Sequence, residues 1–306
     1  MPRPTCLALT FALTTGCTLG SGKAVTEGRP LTDFEAIHSH DVVDIEVNPN
    51  LRTDGIDLTC DDNLIDLIRT DLDNGVLTVR FKKGVMANPQ ARCVLETGNT
   101  SLVELVSTGS GDVNARGPLW ALDTIRTTGS GDLDVSIFDV EGDNEDVDDG
   151  DLNQGDGGDL TDSGAGDLTE TDEGDLNQGD DQGDSHKLAQ IPPTDDIYVL
   201  TTGSGDVSVK GLDLKRVELR TTGSGDVSLS GDANRIDATS TGSGDVRARN
   251  LHANKADVTT TGSGDMTAYA TERADARSTG SGDITIYGNP DQRSKKSTGS
   301  GDIRFR

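Results

Sequence analysis

Aromatic side chains are scarce in this sequence, since only nine of its 306 residues are Trp, Tyr or Phe. So few rings leave little bulk to fill a wide globular core. Basic residues are also in the minority, with 27 Lys and Arg against 54 Asp and Glu and a formal net charge of −27. A protein this negative repels phosphate, which excludes nucleic acid as a partner. No run of about 20 apolar residues is present, which excludes a polytopic membrane protein.

The segment 1–17 is predicted to be a signal peptide. One Arg, a short apolar stretch at 6–13 and small residues before Cys17 are the layout of a secretory signal. The segment resembles a bacterial lipoprotein signal, which implies lipidation of Cys17 and a place in the cell envelope. Thr18 in the next position implies an outer-membrane lipoprotein, facing the periplasm or the cell surface. Plain secretion and an uncleaved segment are the alternatives. The segment 18–32 is predicted to form a linker.

Cys60 and Cys93 are the two cysteines outside the signal segment. Exported proteins with two cysteines often join them, so a disulfide is one interpretation. Closing this loop would stabilise the fold by roughly 3–4 kcal/mol. Two separate buried thiols are the alternative. No His neighbours either residue, so no confident metal site is predicted.

The pentapeptide Thr-Gly-Ser-Gly-Asp, here called the TGSGD motif, occurs eight times from Thr108 onward. Apart from one wide gap between the second and third copies, the spacing of successive copies is nearly constant. A fixed period of roughly 20 residues predicts a repeat architecture, in which each unit buries its face against its neighbours. The copies start at Thr108, Thr128, Thr202, Thr222, Thr241, Thr261, Thr279 and Thr298.

Between the motifs, apolar residues alternate with polar ones, as at Val207 and Val209 or at Ile284 and Ile286. This period of two and the many β-branched residues predict strands. The strands could form antiparallel hairpins or the rungs of a solenoid. Near-identical corners favour the solenoid, because like then stacks on like. We therefore predict an all-β, single-stranded parallel β-helix with rungs of about 19–20 residues.

The TGSGD corners suggest roles for their glycines and aspartates. Gly109 and Gly111, with their equivalents, are predicted to supply φ angles that a Cβ resists. Each Asp is predicted to accept a hydrogen bond from a backbone N–H. Rungs about 4.8 Å apart would stack these carboxylates into a ladder, where neighbours repel by roughly 0.9 kcal/mol in water. Calcium is an alternative means of offsetting that repulsion and the one possible cofactor. The ladder comprises Asp112, Asp132, Asp206, Asp226, Asp245, Asp265, Asp283 and Asp302.

The repeated GSGD units, the sequence Asp33-Phe34-Glu35-Ala36-Ile37 and the closing Tyr287-Gly288-Asn289-Pro290 resemble a known family. It is the "putative auto-transporter adhesin, head GIN domain" family, and the resemblance covers about residues 33–306 apart from an acidic insertion. It implies a β-helical, exported and lipoprotein-like domain, and it supplies no catalytic residues to carry over. Residues 33–107 would form the irregular first part of this domain.

An acidic insertion, at about 140–190, breaks the period. From Asp139 to Asp184 the chain has 19 Asp and Glu and no Lys or Arg. Such composition predicts a solvated, disordered loop. It should leave the solenoid at the corner opposite TGSGD, after a strand at 133–137. Gly-Asp-Leu recurs at a regular interval inside it, so weak calcium binding is an alternative. The calcium candidates there are Asp151, Asp159, Asp167 and Asp175.

Other residues that could carry chemistry are dispersed. His38 and His40 could share a strand face, but without a third ligand a surface pair is the simpler interpretation. Trp120 and Tyr198, Tyr269 and Tyr287 could stack on sugars, yet their separation along the sequence favours ordinary packing. No acid, base and nucleophile stand in a recognisable order, so no catalytic residue is predicted.

These observations predict a non-enzymatic, exported surface lipoprotein that acts as an adhesin-like scaffold or binding module. Its partner would be an unknown protein or glycan at a surface, its contact with membrane a lipid anchor, and its state a monomer. The second hypothesis is a calcium-binding protein that uses the acidic loop and the Asp ladder. The third is a polysaccharide-active enzyme, because parallel β-helices include such enzymes.

Overall fold

A computed structural model describes residues 17–51, 55–87, 93–138 and 194–306. The chain divides into two compact units, and these residues belong to the one made of 1–140 and 191–306. The other unit, 141–190, lies outside the described residues, as do 1–16. The predictions for the signal peptide, the acidic loop and Asp151, Asp159, Asp167 and Asp175 therefore fall outside the described structure.

The regular secondary structure of the described residues is all strand apart from one short 3₁₀ turn at Ile65–Leu67. The first nine strands are β1 Cys17–Thr18, β2 Ala24–Arg29, β3 Ala36–Ser39, β4 Val43–Val47, β5 Ile56–Asp61, β6 Ile68–Asp73, β7 Val76–Phe81, β8 Met86–Ala87 and β9 Cys93–Thr97. Shorter strands of the regular part follow: β10 Glu104–Ser107, β11 Val113–Gly117, β12 Thr124–Thr127, β13 Leu133–Ile137 and β14 Asp196–Thr201. The remainder are β15 Val207–Thr221, β16 Val227–Ser240, β17 Val246–Thr260, β18 Met266–Ser278, β19 Ile284–Tyr287, β20 Gln292–Ser297 and β21 Ile303–Phe305.

Parallel pairing confirms the predicted β-solenoid. Strands that precede a TGSGD motif stack on β3 and on one another, in the order β10, β12, β14 and then the second halves of β15 to β18, ending with β20. Strands that follow the motif stack separately on β4, in the order β11, β13, the first parts of β15 to β18, β19 and β21. The motif forms the corner between the two sheets. Strands β13 and β14 flank the acidic insertion as predicted.

The described residues between 48 and 103 fold back beneath the first rung instead of continuing the solenoid. Strands β7 and β9 lie parallel to β3 and β4, so they form a rung on the side away from β10. Next come β6 and β5, which run antiparallel to β7 and β9, and β2 runs antiparallel to β5. The irregular first part is therefore a cap in which pairing is largely antiparallel. The repeat pattern did not predict these antiparallel pairs.

The core is aliphatic, as the scarcity of rings predicts. In most strands alternate residues point inward and are buried, for example Val207, Val209, Val217 and Leu219. In β17 and β18 alanines replace many of the branched inward side chains, and buried isoleucines return in β19 and β21. These alanines are Ala248, Ala253, Ala256, Ala268, Ala270, Ala274 and Ala276.

Cys60 and Cys93 are directly opposite each other in the cap, one residue beyond the antiparallel pair Thr59–Val94 of β5 and β9. They are joined by a disulfide with a Cα–Cα distance of 4.2 Å, and both side chains are fully buried. The bond ties β5, which belongs to the cap, to β9, which stacks on the first regular rung through β4.

Candidate functional site

The TGSGD motifs form one continuous edge of the solenoid. In each corner the Thr and Ser are exposed, while the second Gly is buried. The corners hydrogen-bond to one another through the main chain, since Ser224 N–H donates to Gly203 O and Ser243 N–H donates to Gly223 O, both at 3.1 Å. The hydroxyls of the TGSGD serines have no partner among the described residues. The edge is thus a repeated surface of hydroxyl and carboxylate groups.

The eight TGSGD aspartates form the predicted ladder. In each rung the backbone N–H of the Asp donates to Oδ1 of the Asp in the preceding rung, at 2.8 to 2.9 Å. Asp44 receives the first of these bonds, from Asp112 N–H at 2.8 Å. One oxygen of each carboxylate from Asp112 to Asp283 is therefore used by the backbone of the next rung.

Two arginines bridge pairs of these aspartates through the second oxygen. Arg247 reaches Oδ2 of Asp226 at 2.8 Å and of Asp245 at 3.1 Å. The N–H of Asp245 and the Arg247 guanidinium hold the pKa of Asp226 below its usual range. Arg304 bridges Asp283 and Asp302 in the same way. The N–H of Asp302 and Arg304 likewise lower the pKa of Asp283.

The second oxygens of Asp112, Asp132, Asp206 and Asp265 have no hydrogen bond or ion pair within the described residues. A groove of about 280 Å³ lies over part of the ladder and is lined by Asp132, Asp134, Asp206, Asp226 and Arg247, among others. In the described part of the chain, no three His, Cys, Asp or Glu side chains are arranged to hold a metal ion. Calcium binding at these aspartates stays a prediction.

The glycines of the motif do not have the role that the sequence predicted. None of them has a positive φ, so the expectation of left-handed corners is wrong. A Cβ built on Gly223 would instead lie 1.8 Å from Gly203 O, and one on Gly225 would lie 2.0 Å from Gly205 O. The corners stack backbone on backbone, and glycine is required because no side-chain atom fits between two rungs.

A column of buried hydroxyls was missed in the sequence. The residue before each TGSGD motif is a Ser or Thr, and in every copy except the last it is buried at the corner. Ser39 occupies the equivalent position on β3, and Ser39 and Ser278 donate to the carbonyls of Val43 and Gly282, at 3.0 and 3.3 Å. The constant chemistry of this position within the repeat, always Ser or Thr, was the available signal. The column is Ser39, Ser107, Thr127, Thr201, Thr221, Ser240, Thr260 and Ser278.

The outer face of the sheet before the motif carries paired charges. A basic column lies beside an acidic one in register across β15 to β18, so each guanidinium has carboxylates within its own rung or the next. Arg216 lies 2.8 Å from Asp237, and Arg273 lies 2.7 Å from Asp275. Arg273 lowers the pKa of Asp275. The columns are Arg216, Arg235, Lys255 and Arg273, and Glu218, Asp237, Asp257 and Asp275.

His38 and His40 do not form a joint site in the described structure. His38 Nε2 lies 3.1 Å from Glu104 Oε2, whereas His40 Nδ1 contacts Thr108 Oγ1, so the two rings have different partners. Cys17, the predicted lipidation residue, begins β1, which pairs with β8. No described helix is long and apolar enough to cross a membrane.

Two of the tyrosines that the sequence separated are neighbours in the fold. Tyr269 and Tyr287 are paired in register on β18 and β19, and His252 of β17 is paired with Tyr269. The expectation that these rings are scattered is therefore wrong for Tyr269 and Tyr287. Tyr198, on β14, lies several rungs away.

Fold and edge together define a parallel β-solenoid with repeated TGSGD corners. The chain belongs to the family described as "Putative auto-transporter adhesin, head GIN domain", whose model matches residues 33–168 and 187–290. This confirms the resemblance drawn from the motifs. The family's description is consistent with a binding role rather than an enzymatic one, and with a place at the cell surface or envelope.

Solved structures share the fold. A protein described as a putative lipid binding protein, from Parabacteroides distasonis ATCC 8503, aligns with a TM-score of 0.64, 21% identity and coverage of 95% of this chain and 100% of that one. A putative adhesin from Parabacteroides merdae ATCC 43184 aligns with a TM-score of 0.62 and 21% identity, over 94% of this chain and 98% of that one. A putative adhesin from Bacteroides fragilis NCTC 9343 aligns with a TM-score of 0.57 and 20% identity, over 94% of this chain and 100% of that one. The comparison with curated proteins found no match.

Proposed function

We propose that this protein is a non-enzymatic, exported surface lipoprotein that acts as an adhesin-like binding scaffold. The observation that supports this most is how the regular faces use their polar groups. The aspartates of the TGSGD edge bind the backbone of the next rung, and the charged columns pair with each other. Groups held in this way stabilise the stacking of the rungs, and among the described residues they do not form an acid, base and nucleophile set.

The rest of the proposal concerns location and partners. The lipid on Cys17 would hold the protein at the outer membrane of a bacterial envelope, facing the periplasm or the surface, and secretion is the alternative. The partner would be a protein or glycan of another surface, and nucleic acid is disfavoured by the net charge of −27. The protein would act as a monomer whose contact with membrane is the lipid anchor.

Surface attachment of whole cells tests this function. A strain lacking the gene should attach to its natural surface less than the parent, and the full-length gene should restore attachment. Cys17→Ser should release the protein from the membrane fraction and fail to restore attachment, while Cys60 and Cys93 are left intact. Unchanged attachment in the deletion strain would contradict the adhesin-like role. Membrane retention of Cys17→Ser would contradict lipidation.

Calcium binding is the second candidate, because the second carboxylate oxygens of Asp132 and Asp206 have no protein partner in the described structure and both residues line one groove. Calorimetric titration with calcium, with and without residues 141–186, separates the possibilities. Heat and a raised melting temperature only with the segment present would assign calcium to the insertion. Persistence without it would assign calcium to the TGSGD aspartates. The remaining alternative, a polysaccharide-active enzyme, predicts product release from acidic glycans.

A further inference from the structure

Three planar side chains form a strip on the outside of β17, β18 and β19. His252, Tyr269 and Tyr287 occupy paired positions on these adjacent strands. The His252 and Tyr269 rings meet edge to face with centroids 4.9 Å apart, and the His252 side chain is 62% exposed. Because successive strands lie about 4.8 Å apart, the strip runs along the solenoid axis for about 10 Å. Its shape is long and narrow.

A bulge adds a cation to this strip. Ala248 pairs with Ala268, but the next pair is His252 with Tyr269, so residues 249–251 have no partner in β18. Bulges re-aim side chains, and here Arg249 lies over the ring of Tyr287, with its Cζ 4.2 Å from the ring centroid. Arg249 has no ion pair or hydrogen bond among the described residues. Its guanidinium is thus held in place and its charge is not neutralised by a described carboxylate.

Amide and hydroxyl groups line one side of the rings. Asn254, two residues after His252, donates through Nδ2 to Asn234 Oδ1 at 3.2 Å. Thr271, two residues after Tyr269, donates to Asn254 Oδ1 at 3.4 Å. These groups are exposed and retain further donors and acceptors. A ring surface and a hydrogen-bonding column therefore run side by side over the same rungs.

We propose that this aromatic strip, made of Arg249, His252, Tyr269 and Tyr287, binds an acidic polysaccharide along the solenoid axis. A sugar ring has an apolar C–H face that packs on aromatic rings and a rim of hydroxyls that suits Asn254 and Thr271. A sugar carboxylate suits the guanidinium of Arg249, which can bind it through two N–H groups. The carboxylate of Asp232 lies 3.9 Å from His252 and would repel a sugar carboxylate there. Selectivity for the acid therefore rests on Arg249.

Binding of an acidic polysaccharide would give the proposed surface-binding function its ligand class, and this inference rests on that proposed function. Its shape favours a linear polymer, because a small molecule would contact one ring while a chain can contact all three. The rest of the molecule repels such a polymer through its net charge of −27. Binding should therefore be confined to this strip, where Arg249 supplies the local positive charge.

Calorimetric titration of the full chain with oligogalacturonate, a polymer of sugar acids, tests the inference. A neutral galactan of the same length is the control polymer. Tyr269→Ala and Arg249→Gln should each weaken oligogalacturonate binding at least tenfold. The matched controls are Tyr198→Ala on β14 and Arg220→Gln on the charged face, and these should bind as the parent does. Melting temperatures identify any variant that has lost its fold. Tyr269→Phe keeps an aromatic ring at this position and should retain binding.

The inference is overturned if oligogalacturonate does not bind, if the galactan binds equally well, or if Arg220→Gln loses as much affinity as Arg249→Gln. Failure here is distinct from failure of the proposed function. Loss of attachment in the deletion strain without polymer binding would leave the adhesin-like role and remove the aromatic strip. Polymer binding through the strip, together with normal attachment of the deletion strain, would leave the aromatic strip as a binding site and remove the adhesin-like role.

Discussion

Asp226 illustrates what each corner carboxylate contributes at the scale of the residue. Its Oδ1 accepts the N–H of Asp245 at 2.8 Å, and its Oδ2 meets Arg247 at 2.8 Å. The first contact needs an acceptor and no charge, whereas the second needs a charge. These two contributions can be separated by substitution.

Asp226→Ala should lower the free energy of unfolding by about 1 kcal/mol, because the N–H of Asp245 loses its acceptor. Asp226→Asn should cost less, since the amide oxygen still accepts that N–H. Denaturant unfolding measures both changes. Asp213→Ala is the control, because the side chain of Asp213 is exposed and has no hydrogen bond or ion pair among the described residues. Equal losses for all three variants would contradict the hydrogen-bond role.

Acidification should destabilise the ladder. The pKa values of Asp226 and Asp283 are lowered in the folded state. As pH falls, the unfolded chain takes up protons first, so the stabilisation is present above about pH 4 and is lost as pH falls through the folded pKa values. The Asp226→Asn, Asp283→Asn double variant should therefore lose less stability than the parent as the pH falls from about 5 to about 2, across and below the ordinary pKa of an Asp side chain. Identical pH profiles of the melting temperature would refute this.

Gly223 tests the requirement for glycine at the stacked corners. Gly223→Ala places a Cβ 1.8 Å from Gly203 O, so two rungs must separate, and we expect a loss of at least about 2 kcal/mol. Ser224→Ala in the same corner should be nearly neutral, because its hydroxyl has no described partner. Thermal unfolding of the two variants checks this. A stable Gly223→Ala protein would mean that the corners are not packed as described.

At the scale of the element, β20 breaks the apolar pattern of the stack. Its residues Arg293 and Lys295 pair with the core residues Ala274 and Ala276, yet all six residues of β20 are exposed. Arg293 Nε donates to Pro290 O at 2.8 Å, and Lys295 Nζ donates to Ile303 O at 3.3 Å. Inward-directed charges of this kind discourage pairing with another sheet edge.

Replacing both side chains should expose an apolar edge. We expect Arg293→Ala with Lys295→Ala to self-associate through β20 and β21, because alanine continues the inward column of β18. Lys296→Ala, which removes an outward charge from the same strand, is the control and should behave as the parent does. Sedimentation velocity over a range of concentrations checks this. If the double variant sediments like the control at every concentration, these charges do not protect the edge.

At the scale of the whole molecule, the repeat predicted the stack and the ladder because both depend on identical residues meeting at a fixed period. The cap was not predictable from the repeat, since its strands carry no repeat. β6 forms a hairpin with the adjacent β7, whereas β5 pairs antiparallel with β2 and β9, which are distant in the sequence. The aromatic strip was missed for a different reason. The bulge at 249–251 shifts the register, so His252 meets Tyr269 although less than one full period of the sequence separates them.

The central claim is that the folded solenoid itself makes the surface contact. Adding an excess of purified full chain to wild-type cells tests it most directly, because a soluble competitor must occupy the same partner sites. We predict that attachment falls to the level of the deletion strain, and that the heat-unfolded protein has no effect. Attachment that is unchanged by an excess of the folded protein would contradict the account.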